Sequence, residues 1–488
     1  MSAAELSTDR DSQRLQLQRM ERALVRARLA RPQDLSETDY QCLRYAMGLA
    51  RIHRFTPRGS KRDVRINLGA NATLADWLLA HLYAPLRSAA SDSERLATCV
   101  QAMPRVRELT SRAREALLAS HPDDFDAVAL DREAGHRAFV SVAGGGGGAG
   151  YVYLGAYARL MAADLTPDYM VGNSIGAVMG LFRAARRRIE VDEYLAFAKS
   201  LSRADVFTAG RRRADLCLPG LLQLHLKVLH SRFVTGDHRR PLRLDEMEIP
   251  LDLIVAGVRR RSLERMPDDV REPESGASRL LPFSMKLASR LWRLASFFSP
   301  TLVKPLVFGR DQDTRSLHAV DVVGFSAAVP TILQYELRGR AGTSREIFAE
   351  LMNRHDLSAL VDGGVADNVP ARAAWEGVES GRIGTRNAYY LAFDCFQPKW
   401  EPKHLWLWPI SQAVQMQMRS NRVYADSMVR FSPTLSPINL VPAAASLDQA
   451  FQWGWDQMDA RLPEVTAMLQ PATWEAAGRP AASAEAVS

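Results

Sequence analysis

A run of five consecutive glycines, residues 144–148, constrains the fold of this 488-residue chain more than any other feature. It follows the short apolar segment 138–143, and the apolar residues of the next segment, 149–162, recur at helical spacing. Because glycine adopts backbone conformations closed to other residues, a strand can turn sharply here into a helix whose first amides point at one spot. The sequence therefore predicts a strand–loop–helix unit with a binding site for negative charge at its turn.

A second strand–turn–helix unit follows. Residues 168–171 are a strand candidate, residues 175–187 a helix, and between them lies Gly172-Asn173-Ser174-Ile175-Gly176. This G-x-S-x-G spacing is typical of a nucleophile elbow, a strained turn that exposes the serine hydroxyl while Gly172 and Gly176 prevent clashes. The alternative is a turn of small residues that serves only helix packing. Its place at a second strand-to-helix junction favours Ser174 as a nucleophile.

A third motif supplies a candidate base. Asp362 is followed by Gly363 and Gly364, so its carboxylate can point into a cleft while the backbone turns away. A serine nucleophile needs a base within hydrogen-bond reach, and a carboxylate can serve where a dry pocket raises its basicity. His404 is the alternative base, and it would complete a Ser-Asp-His triad of the α/β-hydrolase type. Its surroundings, His-Leu-Trp-Leu-Trp-Pro, favour a structural role instead.

The glycine run also admits a different ligand. Gly145, Gly147 and Gly150 satisfy G-x-G-x-x-G, the pattern of a dinucleotide-binding loop. Such a site needs an acidic residue at the end of the next strand to bind the ribose, whereas Asp168 begins that strand. The oxyanion of an ester-hydrolysis intermediate therefore fits the loop better. A nucleotide-binding or scaffold protein without catalytic activity remains the alternative function.

The ordered motifs G-G-G-G-A-G, G-N-S-I-G and D-G-G-V-A-D-N-V-P together resemble those of the patatin-like phospholipase family, over about residues 138–371. Residues 325–330, a small-residue helix ending in Ala-x-Pro, resemble that family as well. The resemblance implies a three-layer α/β/α core and hydrolysis of lipid acyl esters, of phospholipase A or lysophospholipase type, without metal or cofactor. It also implies a dyad of Ser174 and Asp362.

The same resemblance assigns the remaining site residues. The implied oxyanion hole consists of Gly145, Gly146 and Gly147, and the implied motif glycines are Gly150, Gly172, Gly176, Gly363 and Gly364. One position departs from the family pattern, which has Arg or Lys just before the last loop glycine, where this chain has Ala149. Ester hydrolysis is therefore a firmer expectation than a preference for phospholipid head groups.

Outside these motifs the chain is expected to add helical regions to an α/β core. Further strands are predicted at 250–256 and 388–393, and strands that alternate with helices indicate a sheet covered on both faces. The expected domains are a helical N-terminal region at 1–130, the acyl hydrolase domain at 131–400 with an insertion at about 259–318, a helical C-terminal region at 401–470 and a disordered tail at 471–488.

Charge and hydropathy suggest where such an enzyme works. The net charge of +8 suits a polyanionic surface, and the lack of aromatic residues interleaved with basic strands argues against nucleic acid. A basic amphipathic helix is predicted in the insertion, where it binds a membrane interface or, alternatively, packs on the core. Its candidate contact residues are Lys286, Leu287, Arg290, Leu291, Trp292, Arg293, Leu294 and Phe298.

The cellular location is expected to be cytoplasmic, at most peripheral on a membrane. The first residues are polar and lack the apolar segment of a signal peptide, and no uncharged apolar run is long enough to cross a bilayer. The four cysteines lie far apart, without metal-ligand spacing, which fits a reducing compartment.

Overall fold

The computed structural model describes residues 3–60, 62–66, 69–188, 190–210, 215–236, 240–264, 295–337, 343–396 and 408–474. Three predictions fall outside these ranges: the alternative base His404, the tail beyond residue 474, and the amphipathic segment from Lys286 to Leu294. The last contains Lys286, Leu287, Arg290, Leu291, Trp292, Arg293 and Leu294.

The helices and strands of the described residues are numbered here in chain order. The α-helices are α1 (Ala3–Ala30), α2 (Glu37–Arg51), α3 (Gly69–Leu78), α4 (Ala84–Ser88), α5 (Asp92–Ser120), α6 (Ala127–Gly135), α7 (Val152–Met161), α8 (Ile175–Ala184), α9 (Val191–Ser200), α10 (Arg203–Val206), α11 (Lys227–Arg232), α12 (Arg260–Leu263), α13 (Gln312–Arg315), α14 (Ala319–Ser326), α15 (Thr343–Arg354), α16 (Ala371–Glu379), α17 (Trp408–Asn421), α18 (Ala444–Asp459) and α19 (Leu462–Leu469). The strands are β1 (Arg54–Phe55), β2 (Val64–Arg65), β3 (Ala138–Ala143), β4 (Tyr169–Gly172), β5 (Phe207–Ala209), β6 (Leu222–Leu224), β7 (Leu251–Arg259), β8 (Val303–Phe308), β9 (Leu333–Tyr335), β10 (Leu357–Asp362), β11 (Ala388–Asp394) and β12 (Ser427–Arg430).

The chain forms two compact units. One unit is built from the residues up to Phe139, from Gly377–Tyr389 and from the residues after Ala460. The other consists of Val140–Glu376 and Tyr390–Ala460 and contains all the residues of the site predicted from sequence. In the described parts of both units, no helix combines the length and apolarity that crossing a membrane requires.

The first unit is mainly helical and is organised around a buried carboxylate. Glu21 of α1 is fully buried and accepts hydrogen bonds from Arg44, Arg51 and Arg137. Burial alone would raise the pKa of Glu21, but the three guanidinium groups lower it to about 2. Removing one partner would leave a buried charge without compensation, which is strongly destabilising.

The second unit contains most of a seven-stranded sheet. The strand order is β10-β7-β4-β3-β11-β12, with β8 also paired to β7. The pairs β3–β4, β4–β7 and β11–β12 are parallel, whereas β8 and β10 run antiparallel to β7. Helix α8 packs on β4 and β7, and α14 packs on β7. The α/β/α class predicted from the sequence is confirmed.

Several individual elements also agree with the sequence. The predicted strands at 138–143, 168–171, 250–256 and 388–393 correspond to β3, β4, β7 and β11. The helix predicted at 149–162 begins as a 3-10 turn, Gly147–Tyr151, and continues as α7. The helix predicted at 175–187 ends earlier, at Ala184.

The segment predicted as an insertion, 259–318, contains a strand for which the sequence analysis made no prediction. Its later part returns to the sheet as β8, which pairs with β7 from Leu253 to Val258. A short 3-10 helix, Ala295–Phe298, precedes this strand. Phe297 is fully buried there, and Phe298, the one described member of the candidate membrane-contacting set, is partly buried.

Candidate active site

Ser174 occupies a strained turn between β4 and α8. Its backbone angles, φ 50° and ψ −126°, lie in a region that residues other than glycine rarely adopt. The two flanking glycines permit this turn because a Cβ on Gly172 would lie 2.6 Å from the carbonyl oxygen of Gly176. A Cβ on Gly176 would lie 2.2 Å from the carbonyl oxygen of Ala143. The motif therefore forms the sharp elbow that its spacing predicts.

A second serine holds this turn in place. The backbone N–H of Ser174 donates to the carbonyl oxygen of Ser326 at 3.1 Å and to its hydroxyl oxygen at 3.0 Å. The Ser326 hydroxyl donates in turn to the carbonyl of Ile254 in β7, at 2.6 Å. Ser326 is fully buried at the end of α14. In the sequence, Ser326 belongs to the small-residue segment 325–330, and its residue type alone indicates no role in the site.

Asp362 ends β10, beside β7. Its N–H donates to the carbonyl of Ala328 at 2.8 Å, and its Oδ1 accepts the N–H of Gly364 at 2.7 Å. The side chain is buried, and no donor among the described residues meets the distance and angle of a hydrogen bond to Oδ2. The Ser174 hydroxyl nevertheless lies close enough to favour the charged form. Burial has the larger effect and raises the pKa of Asp362 to about 7, against the opposing contributions of Ser174 and the Gly364 amide.

The glycine loop lies beside the nucleophile, since a Cβ on Gly145 would be 3.0 Å from Cβ of Ser174. The amide of Gly145 is already occupied, because it donates to Oδ1 of Asn368 at 2.8 Å. The amide of Gly148 likewise donates to the carbonyl of Pro437 at 2.9 Å. The amides of Gly146 and Gly147 have no hydrogen-bond partner among the residues that the structure describes. Of the three glycines expected to form an oxyanion hole, these two have a backbone N–H that is available to a ligand.

The remaining motif residues allow close packing around this loop. A Cβ on Gly150 would lie 2.4 Å from the Ile175 side chain, and one on Gly363 would lie 2.1 Å from the carbonyl of Ile254. Gly364 supplies the amide bound by Asp362. Ala149, which stands where the family pattern has Arg or Lys, is buried and adds no charge to the site.

An apolar cavity of about 150 Å³ opens from Ser174 and Gly147. Side chains of α8 line it at successive helical turns, and other elements of the same unit complete the wall. Its lining includes Val178, Met179, Phe182, Phe197, Leu229 and Leu333. The cavity can therefore shield a flexible apolar chain of a ligand from water while the ligand's reacting group lies at Ser174.

Comparison with protein families identifies the family of the region that contains these residues. A family model described as patatin-like phospholipase matches residues 141–375, which include Ser174, Asp362 and the glycine loop. This part of the chain therefore belongs to the patatin-like phospholipase family, whose members act as hydrolases of lipid acyl esters. No curated protein matches the chain.

Proposed function

We propose that the protein is a phospholipase A or lysophospholipase that cleaves carboxylic esters through a dyad of Ser174 and Asp362. The observation that carries this proposal is the strained Ser174 beside a buried carboxyl group whose pKa is about 7. A general base works best when its pKa lies near the operating pH. Asp362 meets that requirement without a histidine.

The reaction follows from the positions of these groups. The Ser174 hydroxyl oxygen attacks the ester carbonyl carbon, and its proton passes to Asp362. The carbonyl oxygen becomes an oxyanion, which the amides of Gly146 and Gly147 stabilise because neither has another partner in the described part of the chain. When the C–O bond breaks, Asp362 returns the proton to the leaving alcohol, and the acyl group stays on Ser174.

Deacylation reverses these roles with water. Asp362 takes a proton from a water molecule, whose oxygen attacks the acyl carbon. The second tetrahedral intermediate collapses, the fatty acid leaves and the Ser174 oxygen regains the proton from Asp362. The dry surroundings that raise the pKa of Asp362 also strengthen each hydrogen bond to the oxyanion.

The cavity supports a fatty acyl chain as the group transferred to Ser174. Its mostly apolar lining is favourable for methylene groups, each of which gains about 0.8 kcal/mol when it is buried. Arrival of the substrate from a lipid surface would involve the basic amphipathic sequence that ends at Phe298, a contribution that rests on the sequence pattern. Weaker flotation of Trp292→Ala with lipid vesicles would support that contact.

A fluorophosphonate probe tests the proposal, because it labels only an activated serine. We expect labelling and hydrolysis of a short-chain ester by the wild type and neither by Ser174→Ala. An unlabelled, folded wild type would refute the dyad. A dinucleotide released on denaturation and found by mass spectrometry would support the nucleotide-binding alternative instead.

A further inference from the structure

Helix α17 lies outside the family-matched residues 141–375, yet it contacts the segment that follows the proposed base. This segment, residues 363–368, is called the base loop here. Gln417 of α17 binds it twice: Oε1 accepts the N–H of Asn368 at 3.3 Å, and Nε2 donates to the carbonyl of Val365 at 2.7 Å. One side-chain amide thus satisfies a donor and an acceptor of the base loop.

Asn421 lies one turn further along the same face of α17. Its Nδ2 donates to Oδ1 of Asp367, the residue before Asn368 in the base loop. Its Oδ1 accepts the N–H of Arg372 at 2.9 Å, where α16 begins. Asn421 is buried, so both hydrogen bonds are protected from competition with water.

The base loop connects these two residues to the catalytic groups. Asp362 directly precedes it. At its other end, Oδ1 of Asn368 accepts the Gly145 amide at 2.8 Å. The next two amides, of Gly146 and Gly147, are those without a partner among the residues described. The backbone carbonyl of Asp367 accepts a hydrogen bond from Asn173, the residue before the nucleophile. A displacement of the base loop would therefore move the base, the glycine loop and the nucleophile turn together.

We propose that Gln417 and Asn421 are positioning residues, which hold the base loop so that Asp362 and the glycine amides keep their places around Ser174. The inference rests on the proposed function and extends the catalytic unit to a helix beyond the family-matched residues. Neither side chain lines the cavity, so their effect falls on the reaction step and not on binding of the acyl chain. A misplacement of about 1 Å in a catalytic group can cost about 100-fold in rate.

The test compares Gln417→Ala and Asn421→Ala with Gln412→Ala, a matched change at an exposed position of the same helix. With a short, water-soluble ester, we expect the first two variants to lose about 10- to 100-fold in kcat, with KM nearly unchanged. Gln412→Ala should behave as the wild type. Active sites are counted with the fluorophosphonate probe, so that kcat refers only to folded enzyme.

The pH profile separates positioning from simple stabilisation. A looser base loop lets water reach Asp362, which lowers its pKa from about 7, so the acid limb of kcat should move to lower pH in both variants. If Gln417→Ala does not fold, Gln417→Glu replaces it in the test. This variant keeps the acceptor for the Asn368 N–H and loses the donor to the Val365 carbonyl, so the same changes in kcat and pH profile are expected. The inference would be overturned if both variants had the wild-type kcat per labelled site and the acid limb of their pH profile stayed in place. An inactive wild type would refute the proposed function and the inference with it.

Discussion

The hydroxyl and carbonyl oxygens of Ser326 both accept the backbone N–H of Ser174, at 3.0 and 3.1 Å. Ser174 has a positive φ, and such a conformation costs about 1–3 kcal/mol and persists only where the surrounding structure holds it. Because the Ser326 hydroxyl also donates to Ile254, it connects the strained turn to the central sheet. Contacts remote in sequence thus hold the nucleophile in a conformation that its own backbone disfavours.

Ser326→Ala should therefore weaken both the fold and the turn. The carbonyl of Ile254 would lose its buried donor, so the free energy of unfolding should fall by about 1–3 kcal/mol. Chemical denaturation followed by tryptophan fluorescence measures this change. Ser200→Ala is the matched control, because the Ser200 hydroxyl makes one hydrogen bond on the surface, and a change of about 0.5 kcal/mol or less is expected. Equal stability of the two variants would contradict the role of Ser326.

Ser174→Ala and Asp362→Asn should each remove nearly all hydrolysis of a short-chain ester while the protein stays folded. Because the two residues act as a unit, the double variant should be no less active than either single variant. Steady-state kinetics with circular dichroism as the folding control measures both effects. Normal turnover by folded Asp362→Asn would exclude Asp362 as the base.

The activity should depend on pH through Asp362. Its carboxyl group must be ionised to accept the Ser174 proton, and burial raises its pKa to about 7. Activity should therefore rise with pH through a midpoint near 7 and not near the ordinary value of 3.8. The profile of kcat/KM for a neutral, water-soluble ester reports this midpoint in the free enzyme. A midpoint near 4 would mean that water solvates Asp362.

Asp362 should also make the fold less stable as pH rises. A carboxyl with a raised pKa keeps its proton in the folded state while the unfolded chain releases it above about pH 4, so stability falls between about pH 4 and 7. Asp362→Asn removes this loss, and each unit of pKa shift corresponds to about 1.4 kcal/mol. Melting temperatures of both proteins at pH 5 and pH 8 should differ more at pH 8. A difference that does not vary with pH would contradict the raised pKa.

Local patterns made the main elements of the fold predictable. The apolar runs that end in glycine predicted β3 and β4, because a buried strand followed by a sharp turn is the usual structure of such a run. Strand β8 was not predicted because Pro305, near its centre, weakens a strand pattern, and the strand forms where it pairs with β7. That pairing joins residues far apart in sequence, which periodicity does not reveal.

The supporting residues of the site were less predictable. Motif spacing singled out Ser174 and Asp362, but nothing local distinguishes Gln417 from Gln412 on the same amphipathic helix. Ser326 likewise forms its bond to Ser174 across 152 positions of sequence. The Gly145 amide donates to Asn368, a contact that the glycine run does not predict. Such roles arise from tertiary contacts between polar groups, which residue type alone does not specify.

The apolar cavity should set the length of the acyl chain that the enzyme accepts. Val178 lies on α8, one turn after Ser174, and its side chain lines the cavity. Val178→Trp should fill space next to the nucleophile, so kcat/KM should fall strongly for long acyl esters and little for an acetyl ester. Val178→Ala is the matched control, because it enlarges the cavity at the same position and should keep activity on long chains. The ratio of kcat/KM for long and acetyl esters measures the effect independently of enzyme concentration. If Val178→Trp lowers both values equally, the substitution has disturbed Ser174 itself, and the assignment of the cavity to the acyl chain fails.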